Sequence, residues 1–124
     1  MPNEQMTKKF DLEERTSRFS EGIIYLAKKI QENTISKPMI SQLIRAGTSV
    51  GANYCEADDA VSRKDFIHKI GVCKKEARET KYWLKLVIFS FPELLPEAEK
   101  LWQEAKELNL IFNTIFHSTK QTRH

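Results

Sequence analysis

From Phe66 to Val87, the residues Phe66, Ile70, Cys73, Ala77, Thr80, Leu84 and Val87 step by four and three without interruption. That rhythm puts every member on one stripe of an α-helix, whereas a strand alternates with a period of two. It recurs after Pro96, where Ala98, Leu101, Ala105, Leu108, Phe112 and Ile115 follow the same steps. A helix with one apolar stripe is stable only when the stripe is covered, so two such seams in a short chain require a helical bundle.

The rest of the chain supplies the other helices. Leu12, Phe19, Ile23, Leu26, Ala27 and Ile30 predict a helix from Asp11 to about Glu32, interrupted by Asn33 and Thr34. Ser36 is the expected N-cap of a second helix from Lys37 to Ala57, with Pro38 in its first turn. Ser62 and Asp65 are spaced as a capping box ahead of the third helix, and Pro92 stops it. With 124 residues, 4 Gly, 4 Pro and 30% charged side chains, the chain fits one ordered domain and not a turn-rich β fold. The expectation is an all-α, antiparallel up-down-up-down four-helix bundle over residues 11–117. A flexible N-terminus (1–10) and a loose polar tail (118–124) flank it.

No apolar run reaches the roughly 20 residues that span a bilayer, and MPNEQMTKKF has no hydrophobic segment behind its charges. No membrane partner is expected, and the cytoplasm is the expected location. Cys55 and Cys73 then remain thiols, since their spacing fits no CxxC pattern.

The stretch RAGTSVGANYCEA (45–57) decides between a phosphate loop and a helix. Gly47 and Gly51 are four apart, no Gly-Lys-Ser/Thr follows, and PMISQLI before them reads as helix. Each helical glycine costs up to about 1 kcal/mol relative to alanine, and close approach by another helix is the usual compensation. Arg45, Ser49, Asn53 and Glu56 form a polar row on another face of this helix. Two readings apply: a groove for a ligand or nucleic acid, or a hydrogen-bonded seam against a helix or subunit, which is favoured because buried polar groups are normally partnered. Arg45, Gly47, Ser49, Gly51, Asn53 and Glu56 are therefore the candidate oligomer interface. On that reading Gly47→Leu breaks an oligomer and spares the helix content.

Charge is unevenly distributed. Between Ser62 and Ser90 eight basic residues face three acidic ones; between Phe91 and Leu110 two basic residues face five acidic ones. Lys74, Arg78, Lys81 and Lys85 form one row beside the third helix's seam. Like charges one turn apart repel, so the row does not serve the isolated helix. It is the candidate nucleic-acid-binding surface, for RNA or DNA without sequence preference. The plain reading is a solvated face, partly paired with glutamates of the fourth helix.

Catalytic chemistry finds no footing. A di-iron bundle needs two Glu-x-x-His motifs, and only Asp65-Phe-Ile-His68 approaches one, so no metal or cofactor is expected. Neither cysteine has a histidine at helical spacing to activate it. Tyr82, Trp83, Trp102, Phe112 and Phe116 read as core or interface anchors ahead of base-stacking platforms. Phe89 and Phe91, near a helix end, are candidates for an intersubunit patch.

The order Arg45-Ala-Gly-Thr-Ser49-Val-Gly-Ala-Asn53-Tyr-Cys-Glu56-Ala, then Ser62-Arg-Lys-Asp-Phe66-Ile-His-Lys, then Lys75-Glu-Ala-Arg-Glu-Thr-Lys-Tyr-Trp83-Leu resembles a known family over nearly the whole chain. These are the four-helix-bundle proteins encoded within intervening sequences of bacterial large-subunit ribosomal RNA genes. The accessory protein of diversity-generating retroelements, a pentameric bundle that binds nucleic acid and a reverse transcriptase, is more distantly similar. The resemblance implies a ring-like homopentamer and no established activity. The expected function is a non-enzymatic, self-assembling scaffold or accessory protein, with a protein–protein adaptor lacking any nucleic-acid ligand as the alternative.

Overall fold

The computed structural model describes residues 4–121, with side chains from 12 to 120. It contains α1 (Glu4–Lys29), α2 (Ser36–Asp58), α3 (Arg63–Ser90) and α4 (Leu95–Gln121), with a short 3-10 turn at Pro92–Leu94. At about 1.5 Å per residue the helices are roughly 35 to 42 Å long. Short connections force successive helices antiparallel, and the expected four-helix bundle results. α3 packs along both α2 and α4, while α1 lies on α2 and meets α4 along a shorter line.

The two seams form the centre. Ile70, Cys73, Ala77, Thr80, Leu84 and Val87 of α3 are buried, and Phe66 packs at their edge. On α4, Ala98, Ala105, Leu108 and Phe112 are buried, flanked by Leu101 and Ile115. All six apolar positions read for the first helix are buried, five on α1 and Ile30 just past its end, joined by Thr16, whose hydroxyl donates to the Leu12 carbonyl at 2.8 Å.

Element ends depart from the sequence expectation where caps and propensity outweigh the apolar stripe. α1 begins at Glu4 and not Asp11, because Glu, Gln, Met and Lys extend a helix without needing a buried face. α4 continues to Gln121, beyond the expected end at residue 117. The expected flexibility of residues 1–3 and 122–124 lies outside the described residues. Ser36 is the first residue of α2 and does not cap it. Asn33 does: its Oδ1 accepts from the backbone N–H groups of Ile35 (2.9 Å) and Ser36 (2.8 Å). The buried Ser36 hydroxyl instead accepts from the Asn33 N–H at 2.9 Å and donates to the Gln31 carbonyl at 2.5 Å. Pro38 has no N–H to offer a Ser36 cap. The Ser62 cap is as expected, its Oγ accepting from the Asp65 N–H at 3.0 Å.

All four glycines lie inside helices, where each faces a neighbouring helix. A β-carbon on Gly47 would stand 2.7 Å from Ile23 Cγ1, and one on Gly51 3.3 Å from the Thr16 carbonyl oxygen. Gly22 similarly admits Leu101 of α4, and Gly71 admits the Phe116 ring. Close approach is thus the shared reason for these residues, and it operates within one chain.

Candidate nucleic-acid interface

Two members of the α2 polar row, Arg45 and Glu56, tie α2 to α3. Arg45 Nη1 donates to both Glu76 oxygens at 3.2 and 3.3 Å, Nη2 pairs with Glu79, and Nε donates to Gln42 Oε1 at 2.9 Å. Glu76 is 8% exposed, so the guanidinium supplies the countercharge its burial requires. Glu79 also accepts from Trp83 Nε1 at 3.1 Å. Glu56 pairs with Lys69 of α3 at 2.7 Å. Ser49 Oγ donates to the Arg45 carbonyl at 2.5 Å, and Asn53 Nδ2 donates to the Ser49 carbonyl at 2.8 Å. Gly47 and Gly51 are buried against α1 of the same chain. The glycines thus face α1, Arg45 and Glu56 are paired with α3, and Ser49 and Asn53 bond carbonyls of α2 itself.

The basic row of α3 lies along its junction with α4, on two aromatic rings. Lys74 Nζ sits 4.8 Å from the Phe116 centroid, and Lys81 Nζ 5.7 Å from the Trp102 centroid. From α4 itself, Lys120 approaches Phe116 at 5.0 Å and Lys106 approaches Trp102 at 5.7 Å. Arg78 is exposed between the two rings, and Lys85 is exposed at the end of the row. There, Lys85, Ile88, Glu99 and Trp102 border a shallow hollow of about 240 Å³. Four cations from α3 and two from α4 therefore share one strip. Its α3 part is roughly 16 Å long, from the helix rise.

The plain reading of this row has it solvated and partly paired with α4 glutamates. Glu97, Glu104 and Glu107 instead serve α1: Lys29 meets Glu97 at 2.8 Å, and Arg15 meets Glu104 at 2.7 Å and Glu107 at 3.8 Å. Among the described residues no carboxylate forms an ion pair with Lys74, Arg78, Lys81 or Lys85. The acidic face of α4 closes the thin α1–α4 junction, and the basic face of α3 is left to solvent. Lys106 and Lys120 were missed in the sequence, although each stands four residues after an aromatic, the spacing that brings side chains together on a helix.

The remaining aromatics separate by depth. Phe112 is buried with its ring centroid 5.9 Å from that of Tyr54. Trp83 is half-buried with Tyr82 edge-on at 5.2 Å. Phe91 packs on the core, whereas Phe89 is 83% exposed, on the same end of the bundle as exposed Ile35 and Leu95.

Among the described residues no group of three His, Cys, Asp or Glu side chains could hold a metal ion, and Asp65 and His68 are both exposed. Burial pushes the Cys73 thiol up to about 12, and its Sγ donates to the Val50 carbonyl at 3.5 Å. Burial, then the charges of Asp58 and Glu13, push Tyr54 up to about 12. A thiol with so raised a pKa has almost no thiolate at pH 8, so an alkylating reagent is expected to label exposed Cys55 and spare Cys73. Timed iodoacetamide treatment read by intact mass should give one adduct on the folded chain and two in denaturant. Equal rates at both cysteines in the folded chain would contradict this packing.

Residues 8–113 match the sequence model of the 23S rRNA-intervening sequence proteins. Among solved structures, a protein of unknown function from the S23 ribosomal protein family of Bacteroides thetaiotaomicron VPI-5482 superposes with a TM-score of 0.79 at 34% identity, over 89% of this chain and 98% of that one. No curated protein sequence matches. No helix among the described residues is long and apolar enough to cross a membrane.

Proposed function

The chain belongs to the 23S rRNA-intervening sequence protein family, and we propose that it is a non-catalytic cytoplasmic accessory protein that docks on nucleic acid through the α3–α4 face. The observation that carries this reading is the row Lys74, Arg78, Lys81 and Lys85, free of carboxylate partners among the described residues and continued by Lys106 and Lys120. Cations held on one rigid face release counterions when they meet phosphates, which gives affinity without sequence preference. Its non-catalytic character is supported by the protonated Cys73 and by the commitment of Glu76 and Glu79 to Arg45.

The chain also assembles with copies of itself in this reading, as a homopentamer on the strength of its resemblance to ring-forming bundles. The exposed apolar end bearing Phe89, Ile35 and Leu95 suits such contact better than α2, whose glycines α1 already covers. That same end favours a second reading, a protein–protein adaptor, since exposed aromatics are common contact anchors.

Binding of purified protein to generic duplexes across a salt series tests the first reading. With four to six phosphates engaged, log K is expected to fall linearly with log salt at a slope of about −4 to −5. No binding at low salt would leave the adaptor reading in possession.

A further inference from the structure

The rings beneath the basic strip have a consequence for which nucleic acid it accepts. We infer that the partner of this face is a double-stranded nucleic acid held by its phosphates, with Trp102 and Phe116 seating ammonium groups and not stacking on bases. This rests on the nucleic-acid reading above and narrows it.

Single-strand binders draw much of their affinity from bases laid on open aromatic faces. Each ring here already has two ammoniums beside it. Trp102 has the ammoniums of Lys81 and Lys106 each 5.7 Å from its centroid. Phe116 has Lys74 at 4.8 Å and Lys120 at 5.0 Å, the His117 ring edge-on at 5.4 Å, and Gly71 of α3 close against it. A base stacking on either ring must first displace a cation that the ring attracts, and that cation is the group meant to meet its phosphate. Asn109, the amide beside Lys74, is also committed, donating to the Lys74 carbonyl at 2.8 Å.

What the strip does offer suits a duplex. Attraction to the rings favours lysine conformations with the ammoniums already beside this face, which reduces the side-chain freedom lost on binding. A duplex presents about one phosphate charge per 1.7 Å of axis, with its bases inside, and the roughly 16 Å α3 row spans about half of a 34 Å turn. A single strand carries a lower charge density, and its stacking advantage is blocked here. At the hollow beside Trp102, Glu99 adds a carboxylate next to any incoming backbone.

The test compares a 16-base-pair DNA duplex of mixed sequence with each of its separated strands at the same low salt, by fluorescence anisotropy on the wild-type chain. Trp83→Phe, a change on the α2-facing side of α3, leaves Trp102 as the sole tryptophan and so reports stacking by its emission. The expected result is at least ten-fold tighter binding of the duplex, with Trp102 emission little changed. Trp102→Leu is expected to weaken duplex binding about three- to ten-fold while the salt slope is retained, because the lysines remain but lose their seat. Equal or tighter single-strand binding, or strong quenching of Trp102 by either form, would overturn the inference and leave nucleic-acid binding itself intact. No binding by duplex or strand would overturn both. The anisotropy comparison needs no variant, so a Trp83→Phe chain that fails to fold does not spare the inference.

Discussion

Gly47→Leu is expected to unfold the bundle or to lower its melting temperature by more than about 10 °C. The first carbon added at Gly47 already falls 2.7 Å from Ile23 Cγ1, 2.9 Å from Cγ2 and 3.2 Å from Cβ. These atoms cannot swing aside: Ile23 is β-branched, close to its own backbone and fully buried. Adding a methylene or two to a packed core costs about 1–3 kcal/mol; leucine adds four carbons here, so α1 must lift from α2. For a chain of this size each kcal/mol is worth about 3–5 °C. Gly47→Ala gives the graded version, in which up to about 1 kcal/mol of helix propensity offsets part of the clash. Removing Ile23 Cγ1 and Cγ2 should relieve it, so Ile23→Ala combined with Gly47→Ala should be less destabilised than the sum of the two changes by more than about 1 kcal/mol. Thermal unfolding followed by circular dichroism measures all three. If Gly47→Leu keeps its melting temperature and alters only the oligomeric state by light scattering, this glycine faces a second copy, as the sequence alone had suggested.

That contrast shows what the sequence could carry. The stripes of α1, α3 and α4 were legible because burial of apolar groups imposes a period, and a period survives in one dimension. Gly47 and Gly51 were legible as places of close approach, since a helical glycine needs a reason. The identity of the approaching helix was not, because nothing local distinguishes a neighbour in the same chain from one in another. The same holds for charge. The acidic run of α4 was visible, but whether Glu97 and Glu104 turn toward α3 or α1 depends on how α4 is rotated about its axis. Asn33 was read as an interruption when it is the cap, since side-chain caps compete among neighbouring polar residues and Pro38 tips the balance against Ser36. The basic row was readable as four residues of one helix. Its extension by Lys106 and Lys120, and the rings that seat all but Arg78 and Lys85, appear only once α3 and α4 are packed together.

Combining Lys74→Gln, Arg78→Gln, Lys81→Gln and Lys85→Gln is expected to remove most nucleic-acid binding and leave the fold standing. If each of these cations meets one phosphate of a duplex, the salt slope falls toward about −2, the share left to Lys106 and Lys120. Near 0.1 M salt the affinity loss is on the order of 10²- to 10³-fold, similar for all sequences because no base is read. Stability should barely move. Relief of like-charge contacts one turn apart returns about 0.2–0.5 kcal/mol each, while the two lost lysine–ring contacts cost about 0.5–1 kcal/mol each. The two effects nearly cancel, so binding and folding are read independently. A control that removes as much charge elsewhere, Lys28→Gln with Lys37→Gln, Lys64→Gln and Lys75→Gln, separates the face from the net charge of +3 on the whole chain. All four control lysines are exposed and none approaches Trp102 or Phe116 within cation–ring distance. An equal loss of affinity in the control would mean that phosphates sense only the overall charge. A loss confined to the α3 row would mean that its positions, set by the packing of α3 on α4, are what the ligand meets.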